Sequence, residues 1–173
     1  MSQQVDIIVL DAAAANAAID ELADVLADCV AGGASVSFMA PFGQCDAVAY
    51  FRTVIASVET GATALIAARL DGRVVGTVQL GLNTPPNQPH RADIMKMLVH
   101  RVARKRGIGA ALLKGAEAEA KARGRTLLVL DTASGDAERL YARAGWQRVG
   151  VIPDYALWPG GGFCDTTVFW KKV

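Results

Sequence analysis

The segment Arg104-Lys105-Arg106-Gly107-Ile108-Gly109 sets three cationic side chains and two glycines between an apolar run, Ile94 to Val99, and an alanine-rich segment of helical character, Ala110 to Arg123. Glycine lets the chain turn tightly, and the first N–H groups of a helix have no partner inside it. Such a loop can close main-chain donors around phosphate oxygens, with the helix dipole and the basic side chains reinforcing the attraction. The pattern is neither G-x-G-x-x-G nor a loop ending in Gly-Lys-Ser/Thr, which excludes the two commonest nucleotide loops. It reads R-x-x-G-x-G, suited to a pyrophosphate; the competing reading is a solvated basic helix start that binds nothing.

The elements that must position this loop follow from periodicity. Val5 to Leu10 is strand-like, and Asp11 can cap the helix after it, in which Ile19, Leu22, Leu26 and Val30 form an apolar stripe opposite Asp20, Asp24 and Asp28. Gly32 and Gly33 end that helix, and a second spans Gln44 to Glu59. Between them, Gly33 to Gly43 carries Phe38, Met39 and Phe42, which either cover a core edge or wall a substrate pocket. Thr63 to Leu70, the Asp71-Gly72 turn and Arg73 to Leu82 predict a hairpin. After the proline-rich loop Thr84 to Pro89 come a strand, Ala92 to His100, the glycine loop with its helix closed by Gly124, and an apolar strand, Thr126 to Asp131. A strand, a helix and a parallel strand place a ligand at the strands' carboxyl ends. A short helix, Asp136 to Ala144, and strands near Trp146 to Ile152 and Cys164 to Lys171 complete the order β α α β β β α β α β β.

Composition bounds what this chain can be. Its 173 residues, 52% hydrophobic and 20% charged, predict one domain, 1–173, large enough for a core. Eighteen Lys and Arg against seventeen Asp and Glu argue against a general polyanion binder, so no nucleic-acid partner is expected. Eight bases nevertheless fall between His100 and Arg125, a concentration that suits a small anionic ligand. Cys29, Cys45 and Cys164 form no C-x-x-C and imply neither a disulfide framework nor a metal site. With no signal-like start and no long apolar run, a cytoplasmic protein without membrane contact is expected.

Three separated pieces resemble the GCN5-related N-acetyltransferases. They are the strand and R-x-x-G-x-G loop from Met97 to Ala110, the run Ala137-Glu138-Arg139-Leu140-Tyr141 with Ala144-Gly145-Trp146, and Asp93, fourteen residues before Gly107. More narrowly, 33–42, 84–90, 96–100 and 150–153 resemble the tabtoxin-resistance branch. The resemblance implies an α/β fold of the acyl-CoA N-acyltransferase kind: a central mixed, mostly antiparallel sheet with a splayed parallel strand pair and helices on both faces. It also implies acetyl-CoA as co-substrate, no metal, and contacts to acetyl-CoA from Met97, Leu98, Val99, Arg104, Lys105, Arg106, Gly107, Ile108, Gly109, Ala110 and Tyr141. Many relatives have Asn where this chain has Ser134, which leaves Ser134 a contact to the pantetheine arm or none.

The implied chemistry is acetyl transfer to an amine. A free amine has a pKa of about 10 and arrives protonated, so a carboxylate must take its proton before attack. Asp93, on the strand leading into the loop, is the candidate base, and Asp131 is a second acidic residue that holds or polarises the amine; their competing readings are a solvated strand start and a turn cap. By the resemblance, main-chain N–H groups of Met97 to Val99 meet the developing oxyanion where the strand bulges, and Tyr141 protonates the departing thiolate. Phe38, Met39 and His90 are candidate acceptor contacts, while His100 more simply ends its strand. Three readings stay open: acetylation of a small-molecule amine such as a metabolite, toxin or antibiotic, acetylation of a protein or peptide, and a non-catalytic acyl-CoA sensor. A monomer and a homodimer are equally compatible with the chain.

Overall fold

The Asp71-Gly72 pair takes positive φ at both residues, 51° and 83°, the conformation that a two-residue hairpin turn demands. It joins β2 (Thr63–Leu70) to β3 (Arg73–Gly81). In β2 successive residues face opposite ways, and both sets are apolar: Ala64, Ile66 and Ala68 enter one core cluster, Leu65 and Ala67 the other. A strand buried on both faces belongs in the middle of a sheet covered on both sides.

The computed structural model, which describes residues 5–173, places it there. With β1 (Val5–Leu10), β4 (Arg91–Val99), β5 (Leu127–Thr132), β6 (Gln147–Leu157) and β7 (Phe163–Lys172), these strands form one seven-stranded sheet in the order β1-β2-β3-β4-β5-β7-β6. All neighbours pair antiparallel except β4 and β5. That pair is parallel because helix α4 (Ile108–Ala122) carries the chain back between them. The first four residues of the predicted 1–173 unit lie outside the described residues.

One face of the sheet is covered by α4 and α5 (Gly135–Arg143), whose Ile108, Leu112, Leu113, Ala116 and Tyr141 meet Ile66, Val78, Ile94, Leu128 and Phe169. The other is covered by α1 (Ala12–Ala17), α2 (Ile19–Ala31) and α3 (Gln44–Glu59), through Leu22, Leu26, Phe51 and Val54. Asp11 accepts from the Ala14 N–H at 2.8 Å, as a capping residue should. The single helix expected after Asp11 is two, broken at Ala18. Gly115 explains how closely α4 lies on β1: a Cβ there would stand 2.6 Å from Ile7 Cγ2.

β6 runs five residues beyond the expected Ile152, and its register against β7 shifts between Ile152 and Ala156, across Pro153 and Asp154 at φ 52°. As the sheet's edge it tolerates a residue that cannot donate a ladder hydrogen bond. Its exposed Ile152 and Tyr155 are explained by what stands beside them.

Candidate active site

Where β4 meets β5 the sheet opens. Three residue pairs hold them together, Arg91 with Leu127, Ala92 with Leu128 and Asp93 with Val129. Beyond Asp93, β4 follows β3 while β5 follows β7, with Asp131 opposite Val168, so the carboxyl halves of the two strands part. Their facing main-chain groups border a gap at the strand ends, where α/β sheets place ligands.

Within β4 a bulge lies along this gap. Thr77 pairs with Leu98 and Gln79 with Met95, so Lys96 and Met97 together stand opposite Val78. Lys96 takes φ 48°, a left-handed conformation rare for a residue with a long side chain. The extra residue reverses the strand's alternation. Ile94 belongs to the core cluster under α4, whereas Leu98 belongs to the opposite cluster and Met97 and Val99 pack on the first. A bulge of this kind re-aims main-chain groups out of the ladder.

The glycine loop follows. His100 begins a single 3₁₀ turn, Arg101–Ala103, and Gly107 at φ 77° is the N-cap of α4 with no side-chain cap bond, leaving the first N–H groups of the helix without a side-chain acceptor. A Cβ at Gly107 would meet no protein atom within 4 Å, whereas one at Gly109 would lie 3.3 Å from Leu140 of α5. Gly107 therefore faces open space, and Gly109 permits the approach of α4 to α5. Ile108 is buried, so only its main chain can serve a ligand, while Lys105, Arg106 and Ala110 are exposed. Such a helix start, with two cations beside it, can receive an anionic group.

Much of the basic concentration is spent inside the protein. Arg104 donates from Nε to the Val99 carbonyl at 3.1 Å, Arg101 pairs with Asp28 at 2.9 Å and Arg123 with Glu119 at 2.6 Å. Arg125 donates to the carbonyls of Pro89, Arg91 and Leu82 and so ties the proline-rich loop to the start of β5.

A cavity of about 290 Å³ opens beside the strand gap, lined by residues including Asp93, Met95, Asp131, Ile152, Tyr155 and Thr166. The two carboxylates expected to act on an amine thus share one chamber. Asp93 is paired with Arg91, itself held by Gln88 at 2.7 Å, so one of its oxygens is engaged. Asp131 accepts from Thr166 Oγ1 at 2.7 Å. Tyr141, on α5 behind β5, is 4% exposed and packs its ring against Trp146 and Phe169 at 5.8 and 5.6 Å. Burial, with the negative charge of Asp131, pushes its hydroxyl well above the ordinary phenol range, so it keeps its proton at neutral pH. Trp146 donates to Glu117 at 2.9 Å, and Lys171 bridges Glu117 and the Ala144 carbonyl, which fixes the end of α5 that carries Tyr141.

The remaining candidates lie further out. Ser134 caps α5, accepting from the Ala137 N–H at 3.4 Å. Phe38 packs a tilted ring against Phe42 at 4.5 Å and meets Tyr50 edge-to-face at 5.1 Å, and Met39 is exposed; neither Phe38 nor Met39 is among the cavity-lining residues. His90 is exposed, its carbonyl accepting from Thr126 and Leu127 at the closed end of the strand pair. The sequence reading missed the cavity contributions of Tyr155 and Thr166 and the position of Lys96, whose Nζ donates to Ser37 Oγ at 2.7 Å and lies 5.8 Å from the Phe38 ring centroid. A lysine in a strand carries no signal for a left-handed bulge. Among the described residues, no group of three or more His, Cys, Asp or Glu is placed to hold a metal ion, and no helix is long and apolar enough to cross a membrane.

Solved structures share this architecture over nearly the whole chain. An N-acetyltransferase from Staphylococcus aureus Mu50 is 20% identical, with 98% of each chain covered and a TM-score of 0.78. A ribosomal-protein-alanine N-acetyltransferase from Brucella melitensis is also 20% identical, covering 97% of this chain and 99% of its own at 0.78. A phosphinothricin acetyltransferase from Sinorhizobium meliloti, solved in complex with acetyl-CoA, is 17% identical, covering 98% of this chain and 88% of its own at 0.78. At such identities the likeness shows the fold alone. The family model of the GNAT acetyltransferases matches residues 28–146, from the second half of α2 through the glycine loop to Trp146. With the splayed strands, the bulge and that loop inside one matched span, the chain belongs to the acetyltransferase (GNAT) family.

Proposed function

We propose that this protein transfers the acetyl group of acetyl-CoA directly to the primary amine of a small molecule. Acetyl-CoA supplies a thioester whose acyl carbon is the electrophile. Gly107, Ile108, Gly109 and Ala110 offer main-chain N–H groups to its diphosphate, with Lys105 and Arg106 adding positive charge. Met97, Leu98 and Val99 offer N–H groups along the bulge to the acyl oxygen, whose negative charge grows as the amine attacks. Asp93 and Asp131 draw the proton from the acceptor ammonium, directly or through water, and Tyr141 returns a proton to the departing sulfur. No bond to the protein is required, so the three cysteines take no part.

One observation carries the small-molecule reading: both carboxylates line a chamber of about 290 Å³ beside the strand gap. That volume is at the lower end of small-ligand pockets, about 300–1,000 Å³. The loop after α2 is tied to the end of β6 and the turn that follows it, Ser35 Oγ donating to the Leu157 carbonyl at 3.0 Å and the Ala40 N–H to the Pro159 carbonyl at 2.9 Å. These ties favour a compact acceptor over a peptide lying in an open groove. Release of free thiol from acetyl-CoA, followed across small amines and N-terminal peptides, tests the reading. Turnover is expected with small amines; turnover with peptides alone would overturn it, and tight acetyl-CoA binding without turnover of any acceptor would mark a sensor.

A further inference from the structure

Lys96 is the residue that the proposed chemistry leaves unused. It is the extra residue of the β4 bulge, held at φ 48°, where glycine or asparagine would sit with less strain. The bulge explains why some residue occupies this position. It does not explain why that residue is a lysine.

The surroundings are informative. The side chain is half-buried, and desolvation lowers the pKa of its ammonium while the charge of Asp131 acts in the opposite direction. The charge of Asp131 reaches it without contact: among the described residues Lys96 forms no ion pair within 4.0 Å. Its direct partners are the Ser37 hydroxyl and the face of Phe38, both from the loop after α2. A neutral amide could satisfy that hydroxyl. Among the described residues, a partly desolvated cation held by a hydroxyl and an aromatic face, with Asp131 acting at a distance, still lacks a counter-charge in contact with it.

Two carboxylates and one cation therefore border or adjoin the acceptor chamber. Asp93 and Asp131 line the chamber, and Lys96 stands outside the lining, next in sequence to the lining residue Met95. An amine with a second positive group would set that group against the lysine, whereas an amine with an acidic group would satisfy both ends.

We propose that Lys96 is a specificity-determining residue that receives an anionic group of the acceptor, so that the substrate is an amine that also bears an acid. This rests on the small-molecule acetyltransferase reading above and adds the acceptor's charge class to it.

The test compares L-amino acids with their carboxamides, which keep the amine and lose the anion. For wild type, kcat/KM is expected to favour the acids by about tenfold or more. In Lys96→Gln that preference should collapse, the loss falling on KM for the acids, with carboxamide turnover and KM for acetyl-CoA little changed; Lys96→Arg should restore part of it. Equal losses on acids and carboxamides, or a wild-type preference for carboxamides, would overturn the proposal. If no amine turns over, the parent reading fails by itself. Binding of N-acetyl-L-amino acids against N-acetyl-L-amino acid amides to the CoA-loaded protein then decides the charge preference, and equal affinities for the two refute it.

Discussion

Tyr141 is useful as a proton donor only while it is protonated, and its position secures that state. Enclosed by Trp146 and Phe169 and facing the field of Asp131, its hydroxyl is held above the ordinary phenol range. The sign matters for the pH profile: an unshifted phenol would begin to lose its proton at about pH 10, and a raised one does so at higher pH. Activity should therefore show no loss from this residue up to about pH 10, where protein stability permits assay. Tyr141→Phe is expected to lower kcat by about 10- to 100-fold while acetyl-CoA affinity, read by titration, changes by less than about threefold. A similar fall in both would mean that the phenol holds the cofactor rather than serving the chemistry.

At the scale of elements, the strand–loop–helix unit does two things with separate devices. The bulge in β4 turns main-chain groups toward the gap, and the left-handed Gly107 starts α4 without a side-chain cap. Because, among the described residues and leaving out its chain neighbours, no atom lies within 4 Å of a Cβ built on Gly107, a larger residue there would enter open space rather than the core. Gly107→Val should cost about 1–2 kcal/mol of stability through its positive φ, and it should weaken acetyl-CoA binding by more than about tenfold. Denaturation curves and calorimetric titration separate the two effects, and normal binding would remove the loop from the site. A third element, the loop after α2, is held through Ser35 to the adjoining ends of β6 and β7, the hydroxyl donating to the Leu157 carbonyl and lying 3.3 Å from Cys164 Sγ. Ser35→Ala is expected to raise KM for the acceptor several-fold, on the order of one lost hydrogen bond, and to leave KM for acetyl-CoA unchanged. Steady-state kinetics with each substrate varied in turn checks this.

For the molecule as a whole, α2 is fastened to the turn that leads into the glycine loop. Asp28 accepts from the Arg101 N–H at 2.8 Å and from Arg101 Nε at 2.9 Å, with His100 at 3.7 Å. Burial raises the carboxyl's pKa, but the Arg101 hydrogen bonds and the charges of His100 and Arg101 outweigh it, and the net shift is downward from 3.8. A depressed carboxyl contributes stability above its unfolded value and loses that contribution as the pH falls through its folded value. Asp28→Asn should thus be less stable than wild type by about 1 kcal/mol at neutral pH, the gap narrowing below about pH 4. Chemical denaturation at a series of pH values would show it, and a gap that persists in acid would place the effect in packing instead.

How far the chain could be read depends on the range of the forces involved. Local signals were legible: the Asp71-Gly72 turn, the Asp11 cap, the apolar stripe of α2 and the Gly107 helix start each arise within a few residues, and the structure places each where the sequence puts it. So was the alternation of strand and helix that makes β4 and β5 parallel neighbours. The break at Ala18 and the length of β6 were not legible, because helix packing and edge pairing set them. What the sequence by itself determined is the order of the strands, the two-sided core and a glycine start for α4. Only the tertiary structure decided that Arg104 and Arg125 brace main-chain carbonyls, that Asp93 shares its chamber with Asp131 and Thr166, and that Lys96 meets Ser37 and Phe38 with no ion pair among the described residues. The reason is physical. Charge and hydrogen bonding act between groups brought close by folding, and residues far apart in the chain carry no local mark of the partner they will meet.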